Sequence, residues 1–373
     1  MNSNHIIKIT HLTSAHPRYD TRIFVKECSS LAKKYEVNLI VADGLGDEEK
    51  NSVNIYDIGK INGRLNRIFK TTKKVLQKAI ELDSDIYHMH DSELIPVGLK
   101  LRKLGKKVIF DSHEDVPKEL MGKPYLNKTL LKIISTLFAI YEKVNLKKFD
   151  SIVTATPTLR EKFLKINSTV IDVNNFPIIE ELSSNVLWEE KEDAVCYVGV
   201  ISESRGIREM VKSFKYYSDA KVNLGGKFNQ KSLQDEVMDY ESWKSVNFLG
   251  YLSRSEVASV LSRSKAGLVT LHDMANYRDA LPVKMFEYMV ASLPVISSNN
   301  ELWKSIIEEH KCGICVDPMN PKEIAEAIKY IIENPKEARE MGENGKRAVE
   351  EIYNWGNEEK KLFALYRDIL DEI

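Results

Sequence analysis

The sequence is poor in the features that mark secreted, disulfide-stabilised or membrane-spanning proteins. Four cysteines in 373 residues do not make a disulfide framework. No apolar run approaches the ~20 residues that a membrane-spanning helix needs. The first five residues lead directly into an apolar strand and lack the layout of a signal peptide. We therefore expect a cytoplasmic protein.

The formal net charge of −1 is also small, but it hides two halves of opposite sign. Residues 1–180 carry more Lys and Arg than Asp and Glu, and the remainder carries the opposite excess. The N-terminal half is therefore expected to attract an anionic partner, such as a membrane surface or a phosphorylated acceptor. Nucleic acid is not expected, because the basic positions lack interleaved aromatic residues.

Short apolar strands alternate with amphipathic helices along most of the chain, which predicts an α/β protein with parallel sheets. The alternation stops over residues 177–193 and restarts at residue 194. We predict two Rossmann-like, doubly wound domains, 1–176 and 194–355, joined by a linker over 177–193. A last helix, 356–373, is predicted to return to the first domain. Ligands of such sheets lie off the carboxyl ends of the strands, here in a cleft between the two domains.

The stretch from residue 276 to residue 297 is typical of a loop, a helix, a tight turn and a buried strand. Pro282 suits the first helical position, where its missing N–H costs nothing. The preceding residue, Leu281, has no side-chain oxygen to cap the helix. The free amides of Val283 and Lys284 therefore require an acceptor from elsewhere. Together with the Lys284 ammonium they predict a phosphate site.

Two carboxylates, Asp279 and Glu287, bracket this helix start with seven residues between them. Carboxylates repel phosphate, so both are better suited to accept hydrogen bonds from hydroxyl groups on either side of it. The pattern indicates a nucleotide-sugar site. A simpler interpretation remains open, in which an amphipathic helix carries solvated acids and buries Met285, Phe286 and Met289.

A second candidate lies where the strand at 195–198 runs into Gly199 and then Arg205 before a helix. A glycine turn followed by a basic residue places a cation against a diphosphate. The alternative is an ordinary strand-to-helix turn with a solvated arginine.

Taken together, these motifs resemble glycosyltransferase family 4, a family of retaining enzymes with the GT-B fold. The resemblance extends over nearly the whole chain. It is carried by Arg205-Gly206, the Asp279-x7-Glu287 pair, Pro294-Val-Ile, Leu224-Gly-Gly226, the segment from Val246 to Tyr251, the segment from Cys312 to Pro318, Asp111-Ser-His113-Glu-Asp115 and the segment from Asp85 to Asp91.

The resemblance implies roles for individual residues. Glu287 would bond the ribose hydroxyls and Asp279 the transferred sugar, while Arg205 would hold the diphosphate, with Lys284 as a helper. His113 would lie beside the donor sugar and the reacting bond. The expected catalytic group is thus His113, Asp279 and Arg205. The expected donor-binding group is Gly199, Arg205, Gly226, Gly250, Tyr251, Leu281, Pro282, Val283, Lys284 and Glu287.

The chain departs from the family pattern at three places. Asp279 stands where the family more often has glutamate, and Val200 stands where a second basic residue is frequent. The first loop lacks the family's glycines. We hypothesise that Arg18 and Arg22 of this loop face the acceptor instead. Ser14 and His90 complete the expected acceptor-side group.

Three further patterns suggest other chemistry. The cluster His88-x-His90-Asp91 suggests a metal, but we interpret the two histidines as pointing to opposite faces of their strand and expect no metal ion. Asp83-Ser-Asp85 precedes a strand and is interpreted as helix-end and turn residues. Cys312-x-x-Cys315 opens no helix and is interpreted as a strand start rather than a redox motif.

Two basic segments are amphipathic. The predicted helix 129–149 has an apolar stripe flanked by lysines, and a basic string lies between residues 64 and 78. Such helices can lie on anionic lipid, which makes an anionic membrane surface on the inner face of the cell membrane a possible partner. The alternative is a core helix with a solvated basic edge.

The sequence therefore predicts a metal-independent, retaining glycosyltransferase of the hexosyltransferase type. The donor is expected to be a nucleoside-diphosphate sugar, with UDP first, and the acceptor a glycan on a polyprenyl diphosphate. The expected role is in surface polysaccharide synthesis (capsule or O-antigen), and the enzyme is expected to need no cofactor. Two alternatives remain open: a nucleotide-sugar epimerase of the same fold, and a non-catalytic protein that binds sugar nucleotides.

Overall fold

The computed structural model describes residues 6–121, 127–183, 186–275 and 277–371. The chain divides into two compact units. The first contains the described residues up to Asn175 together with those from Glu358 onward, and the second runs from Phe176 to Asn357. Each unit is a mainly parallel sheet with helices, so the fold class is α/β with two Rossmann-like units.

The first unit is built on an eight-stranded sheet in the order β3-β4-β2-β1-β5-β6-β7-β8. All its strand pairs are parallel except β3 with β4. The strand order reverses between β1 and β5, which is the point where doubly wound sheets bind ligands. The strands are Lys8–Leu12 (β1), Glu36–Val41 (β2), Glu48–Lys50 (β3), Val53–Asp57 (β4), Ile86–Met89 (β5), Lys107–Ser112 (β6), Ser151–Thr154 (β7) and Val170–Asp172 (β8).

Helices connect these strands, and most of the last helix of the chain also belongs to this unit. The first helix starts in π-helical geometry over Thr21–Cys28, where the Asp20 carboxylate caps two backbone amides. The helices of the unit are 21–31 (α1), 64–82 (α2), Ile95–Lys103 (α3), Val116–Met121 (α4), Lys128–Leu146 (α5), Pro157–Leu164 (α6) and, later in the chain, Trp355–Leu370 (α14).

The second unit has a six-stranded parallel sheet in the order β11-β10-β9-β12-β13-β14, with its switch point between β9 and β12. Its strands are Ala194–Val198 (β9), Lys221–Gly225 (β10), Val246–Gly250 (β11), Ala266–Val269 (β12), Val295–Ser298 (β13) and Gly313–Val316 (β14). Its helices are Ile207–Ser213 (α7), Lys231–Met238 (α8), Arg254–Arg263 (α9), Val283–Val290 (α10), Glu301–His310 (α11), Pro321–Glu333 (α12) and Pro335–Glu351 (α13).

Apolar side chains on both faces of each sheet form the cores, which is why strands such as β9 and β12 are continuous apolar runs rather than alternating ones. In the second unit Met285, Phe286 and Met289 are fully buried, as the helical spacing of α10 predicted. Within the described residues, no helix combines the length and the apolar character needed to cross a bilayer.

The segment predicted as a linker, 177–193, is instead part of the second unit. Leu182 packs in the cluster that contains α10, and Trp188 packs in the cluster on the opposite face of the sheet. Three elements had no signal strong enough to be predicted: β3, α4 and α8. Each is only three to eight residues long.

Candidate functional site

Three glycine turns lie side by side where β9, β10 and β11 end. The Gly199 amide donates to the Gly225 carbonyl at 3.0 Å, and the Gly226 amide donates to the Gly250 carbonyl at 2.6 Å. Gly199 and Gly226 have φ of +140° and +139°, a region that side chains rarely adopt. A Cβ on Gly226 would lie 1.8 Å from the Gly199 carbonyl oxygen. Glycine is therefore required for these strand ends to approach one another.

Arg205 follows the first of these turns, at the end of a short turn over Glu203–Arg205. The next residue, Gly206, has φ of +74° and begins α7. A Cβ on Gly206 would meet the Thr270 carbonyl oxygen at 2.1 Å, so the turn packs directly against the end of β12. The Arg205 guanidinium lies over the Tyr277 ring at 5.4 Å, and it forms no ion pair with a carboxylate of the described residues.

Lys284 is the most unusual side chain of this edge. It is buried in the first turn of α10, and its Nζ has no hydrogen-bond partner among the residues described. Nζ lies 3.7 Å from the Tyr197 ring centroid and 3.0 Å from the place of a Cβ on Gly199. Burial, followed by the nearby charge of Arg205, holds the pKa of Lys284 well below its usual value. An anion beside Gly199 would neutralise both cations.

The helix start differs from the prediction in one respect. Pro282 is the N-cap of α10 rather than its first helical residue, because its ψ of 113° is extended. The amides that follow Pro282 still receive no cap from its side chain. The amides of Val283 and Lys284 precede the first intrahelical hydrogen bond, which runs from Met285 to the Pro282 carbonyl at 2.9 Å.

Glu287 lies one turn further along α10 and forms an ion pair that the sequence did not reveal. The Arg254 Nη1 donates to Glu287 Oε1 at 2.6 Å, and Arg254 Nε donates to Glu181 Oε2 at 2.8 Å. Burial alone would lower the pKa of Arg254, but the two carboxylates raise it. Arg254 therefore orients the Glu287 carboxylate. The only sequence signal was its place directly after the Ser253 capping box of α9.

The remaining donor-side residues are at or near the surface. Asp279 and Leu281 are half-buried in the turn before α10. Tyr251 is 73% exposed after β11, with the Lys227 ammonium 5.0 Å over its ring. Val200, which takes the place of a basic residue, is exposed.

In the first unit the carboxyl ends of the strands carry ion pairs instead of glycines. Arg18, which was predicted to face an acceptor, is already paired within the chain. Its guanidinium is buried, pairs with both oxygens of Asp43 at 2.7 and 2.8 Å, and donates to Glu48 at 2.7 Å. A further bond to the Gly46 carbonyl at 2.8 Å leaves this cation well satisfied.

Arg22, the second residue predicted to face the acceptor, is likewise paired within the chain. It makes two bonds to Asp111 at 2.8 and 2.9 Å and one to the Val173 carbonyl at 2.6 Å. Its Nε also lies 3.1 Å from Glu27 Oε1. Burial alone would raise the pKa of Asp111, but the Arg22 charge holds it well below its usual range. Arg22 is thus the central cation of a buried network.

His113 and His90 converge on the same carboxylate. His113 Nε2 lies 3.0 Å and His90 Nδ1 3.2 Å from Asp111 Oδ2. His90 is fully buried, and burial lowers its pKa to about 4. The His113 side chain is 20% exposed. Because Asp111 holds Nε2, His113 presents its Nδ1 away from the network.

The expectation that His88 and His90 point to opposite faces of β5 is wrong. Side chains alternate along a strand, so residues two apart share a face. The two rings stack with centroids 4.8 Å apart. Two groups of described residues have ligand atoms that all lie within 4.8 Å of one another: His11, Glu27, His88 and His90, and His90, Asp111 and His113.

Ser14 lies beside a polar cavity. Its amide donates to Asp91 Oδ2 at 2.6 Å and its hydroxyl donates to Glu93 at 3.0 Å. Glu93 also lines a cavity of about 520 Å³ between the start of α2 and α4, together with Arg64 and Arg67. Arg67 pairs with Glu93 at 2.6 Å. Both arginines belong to the basic string of residues 64–78, and nothing in the sequence indicated that they line a cavity.

The chain has the GT-B fold of glycosyltransferases, which contains two doubly wound units. Several solved structures of similar fold match nearly its whole length. Sucrose-phosphate synthase from Thermosynechococcus elongatus has a TM-score of 0.78 at 17% identity, covering 98% of this chain and 100% of that one. Anabaena HepE in complex with UDP has a TM-score of 0.74 at 13% identity, with the same coverage.

The sequence comparisons agree with this class. Residues 178–348 match the family model of glycosyl transferases group 1. An uncharacterized glycosyltransferase of Methanocaldococcus jannaschii is 22% identical over 97% of this chain and 98% of its own length. Together these findings show the GT-B fold, and they show similarity to glycosyl transferases group 1 over fewer than half of the residues of the chain.

Proposed function

We propose that the protein is a retaining hexosyltransferase that takes a sugar from a nucleoside diphosphate, in line with the family 4 resemblance. One observation carries the proposal: Lys284 is a buried cation without a partner among the described residues. Leaving a cation buried and unpaired is costly, and an incoming anion relieves that cost. Arg205, the amides of Val283 and Lys284, and the Gly199 turn supply the rest of a diphosphate seat.

The chemistry follows from where charge develops. As the bond between the sugar and the diphosphate breaks, negative charge grows on the departing oxygen. Arg205, Lys284 and the positive end of α10 stabilise that charge. The departing oxygen takes the proton of the acceptor hydroxyl, which attacks the same face of the sugar. Fixed cations do this work at the diphosphate, so we expect no divalent ion and no cofactor there.

Two carboxylates then fix the rest of the donor. Glu287 has one oxygen held by Arg254 at 2.6 Å, which orients the carboxylate toward ribose hydroxyls. Asp279 is the proposed contact of the transferred sugar, and His113 is the group proposed beside the reacting bond. UDP is the first choice of carrier, because of the resemblance and because the similar HepE was solved with UDP.

The acceptor is proposed to be a glycan on a polyprenyl diphosphate, used in surface polysaccharide synthesis. Arg18 and Arg22 are already paired, so they are poor candidates for its phosphates. The cavity beside Ser14 offers Arg64 and Arg67 at its edge and is a better candidate. An acceptor phosphate there would compete with Glu93 for Arg67.

The surface of α5 supports contact with a membrane, as a lipid-linked acceptor requires. Its apolar stripe does not face a core, because Ile133, Leu137 and Ile140 are 52%, 62% and 54% exposed. Lysines flank the stripe, as in helices that lie in the plane of an anionic interface. Leu137→Ser should weaken sedimentation with phosphatidylglycerol vesicles, whereas Leu187→Ser, at an exposed leucine of the second unit, should not.

The proposed activity is tested with UDP-, GDP- and dTDP-sugars in the presence of EDTA. We expect one donor to bind and to be hydrolysed slowly without an added acceptor, with the released sugar keeping its anomeric configuration. Release of an epimerised sugar nucleotide would instead indicate an epimerase. Binding of none of these donors would contradict the proposal.

A further inference from the structure

Three histidines and a glutamate meet at the switch point of the first sheet. His11 in β1 is the register partner of His88 in β5, and His90 follows two residues later on the same face. Glu27 reaches the group from α1. All four side chains are fully or almost fully buried. Three imidazoles and a carboxylate are an uncommon filling for an interior, since each has polar atoms that must be satisfied.

The atoms that point into this group are spaced like ligands. Glu27 Oε2 lies 3.9 Å from His11 Nδ1 and 3.9 Å from His90 Nε2. His11 Nδ1 and His90 Nε2 lie 2.8 Å apart. A tetrahedral ion with bonds of about 2.0–2.1 Å needs ligand atoms about 3.3 Å apart. The two nitrogens would separate by roughly half an ångström, and the carboxylate would approach by a similar distance.

Two of the inward groups are not satisfied by hydrogen bonds. His88 Nε2 and both Glu27 oxygens are buried without a hydrogen-bond partner among the residues that the structure describes. Among the Lys and Arg side chains that the structure describes, Arg22 alone pairs with Glu27. Its Nε lies 3.1 Å from Oε1, and it also pairs with Asp111. A buried carboxylate that shares its counter-ion with a second carboxylate is costly, and a cation at the centre of the group would offset that cost.

The outward atoms of the same side chains are held as metal ligands usually are. His90 Nδ1 lies 3.2 Å from Asp111, and His88 Nδ1 lies 2.8 Å from the Tyr366 hydroxyl. The same hydroxyl lies 3.4 Å from His11 Nε2. These contacts fix the rings so that each directs one nitrogen inward, as in carboxylate–histidine–metal arrangements.

We propose that the first unit holds one divalent transition-metal ion of the Zn²⁺ type between four side chains: His11, Glu27, His88 and His90. Imidazole nitrogens with one carboxylate oxygen suit Zn²⁺, and four protein ligands in a buried place suit a structural ion. The ion would tie β1, β5 and α1 together. It is separate from the diphosphate chemistry, for which fixed cations suffice.

The test is the metal content of the full-length protein, which needs neither donor nor acceptor. The protein is produced in medium with added Zn²⁺, passed through gel filtration in EDTA to remove surface ions, and analysed by plasma mass spectrometry. We expect roughly one Zn²⁺ per chain, because fully buried ligands exchange slowly. Production with Co²⁺ should give the visible absorption of a four-coordinate Co²⁺ site.

Single substitutions test whether the ion is held by the proposed side chains. Glu27→Gln and His88→Gln should each reduce the metal content at least tenfold. The control His272→Gln, in a histidine–glutamate pair of the second unit, should retain it. Wild-type protein free of Zn²⁺ and Co²⁺ would overturn the proposal even if the variants fail to fold. Folded Glu27→Gln and His88→Gln proteins that keep the metal would overturn it as well.

Discussion

The strand ends of the two units differ in whether their basic side chains are already paired with carboxylates of the chain. At the edge of the first sheet, Arg18 and Arg22 are each bound by carboxylates within the chain. At the edge of the second sheet, Arg205 and Lys284 have no such partners among the described residues, and glycines keep the space beside them open. We interpret the paired cations as stabilising the fold and propose that the unpaired ones bind a ligand.

This difference suggests separate roles for the basic side chains of the two edges, although their chemistry is alike. Both edges combine basic side chains with the switch point of a doubly wound sheet. Counting basic residues near strand ends would assign an anion site to each unit. Pairing favours the second unit for the proposed anion site, and in the first unit it leaves Arg64, whereas Arg67 is paired with Glu93.

The largest effect on stability is expected at Arg22. Arg22→Ala leaves Asp111 and Glu27 buried without their common cation, which should cost about 3–5 kcal/mol of the free energy of unfolding. Arg102→Ala, which removes a pair with Asp150 at the surface, should cost about 1 kcal/mol or less. Urea denaturation measures both. Equal losses would mean that the Arg22 network does not stabilise the first unit.

Arg205 should show the opposite behaviour. Arg205→Ala is expected to lower kcat about 10²–10³-fold, because it removes a charge that stabilises the leaving group. Its effect on the free energy of unfolding should be small. The matched variant is Arg208→Ala, on the helix α7 that follows. It removes ion pairs with Glu203 and Glu236 and should leave kcat unchanged. A similar kcat for both variants would exclude Arg205 from the diphosphate seat.

The glycine turns of the second edge differ among themselves in what they tolerate. Gly226→Ala places a Cβ 1.8 Å from the Gly199 carbonyl oxygen and should cost on the order of 3 kcal/mol of the free energy of unfolding. Gly250→Ala has open space and a φ of +66°, and should cost about 1 kcal/mol. Thermal unfolding measures the difference. Equal costs would show that the strand ends do not need their close approach.

Replacing Lys284 should stabilise the protein without donor and weaken donor binding. Lys284→Met keeps an unbranched side chain in the same place but removes the unpaired charge. The free energy of unfolding without donor should rise by about 1 kcal/mol, while donor affinity falls. Lys304→Met, at an exposed lysine of α11, is the control and should change neither. A less stable Lys284→Met protein would mean that the ammonium is already well satisfied.

The smallest expected effect is the uptake of a fraction of a proton when the donor binds. Because burial and Arg205 lower the pKa of Lys284, part of its population is neutral at alkaline pH. A bound diphosphate favours the charged form and raises that pKa again. Donor binding should therefore take up a fraction of a proton and weaken as pH rises toward the usual lysine pKa. Calorimetry in buffers of different ionisation enthalpy detects this, and Lys284→Met should abolish it.

Local patterns were enough to predict the parts of the fold and site that depend on neighbouring residues. The buried face of α10, the absence of a side-chain cap at its start, and the glycine turn before Arg205 follow from spacing within a few residues. The strand and helix alternation likewise predicted the two parallel sheets, whereas the GT-B fold was implied by the resemblance to glycosyltransferase family 4.

The contacts that could not be predicted from the sequence join residues far apart in the chain. Arg18 pairs with Asp43 and Arg22 with Asp111, 25 and 89 residues away, so a basic loop could not be recognised as already neutralised. The Arg254–Glu287 pair, 33 residues apart, was invisible for the same reason. The wrong assignment of His88 and His90 to opposite faces had a different origin, a misapplied strand period.

The central claim is that the unpaired cations of the second edge bind the diphosphate. Calorimetric titration with UDP, GDP and dTDP in EDTA tests it most directly, on the wild-type protein, Arg205→Ala and Arg208→Ala. The account predicts that one nucleoside diphosphate binds the wild-type and Arg208→Ala proteins equally, and binds Arg205→Ala at least tenfold more weakly. Equal affinity for all three proteins, or no binding to any of them, would contradict it.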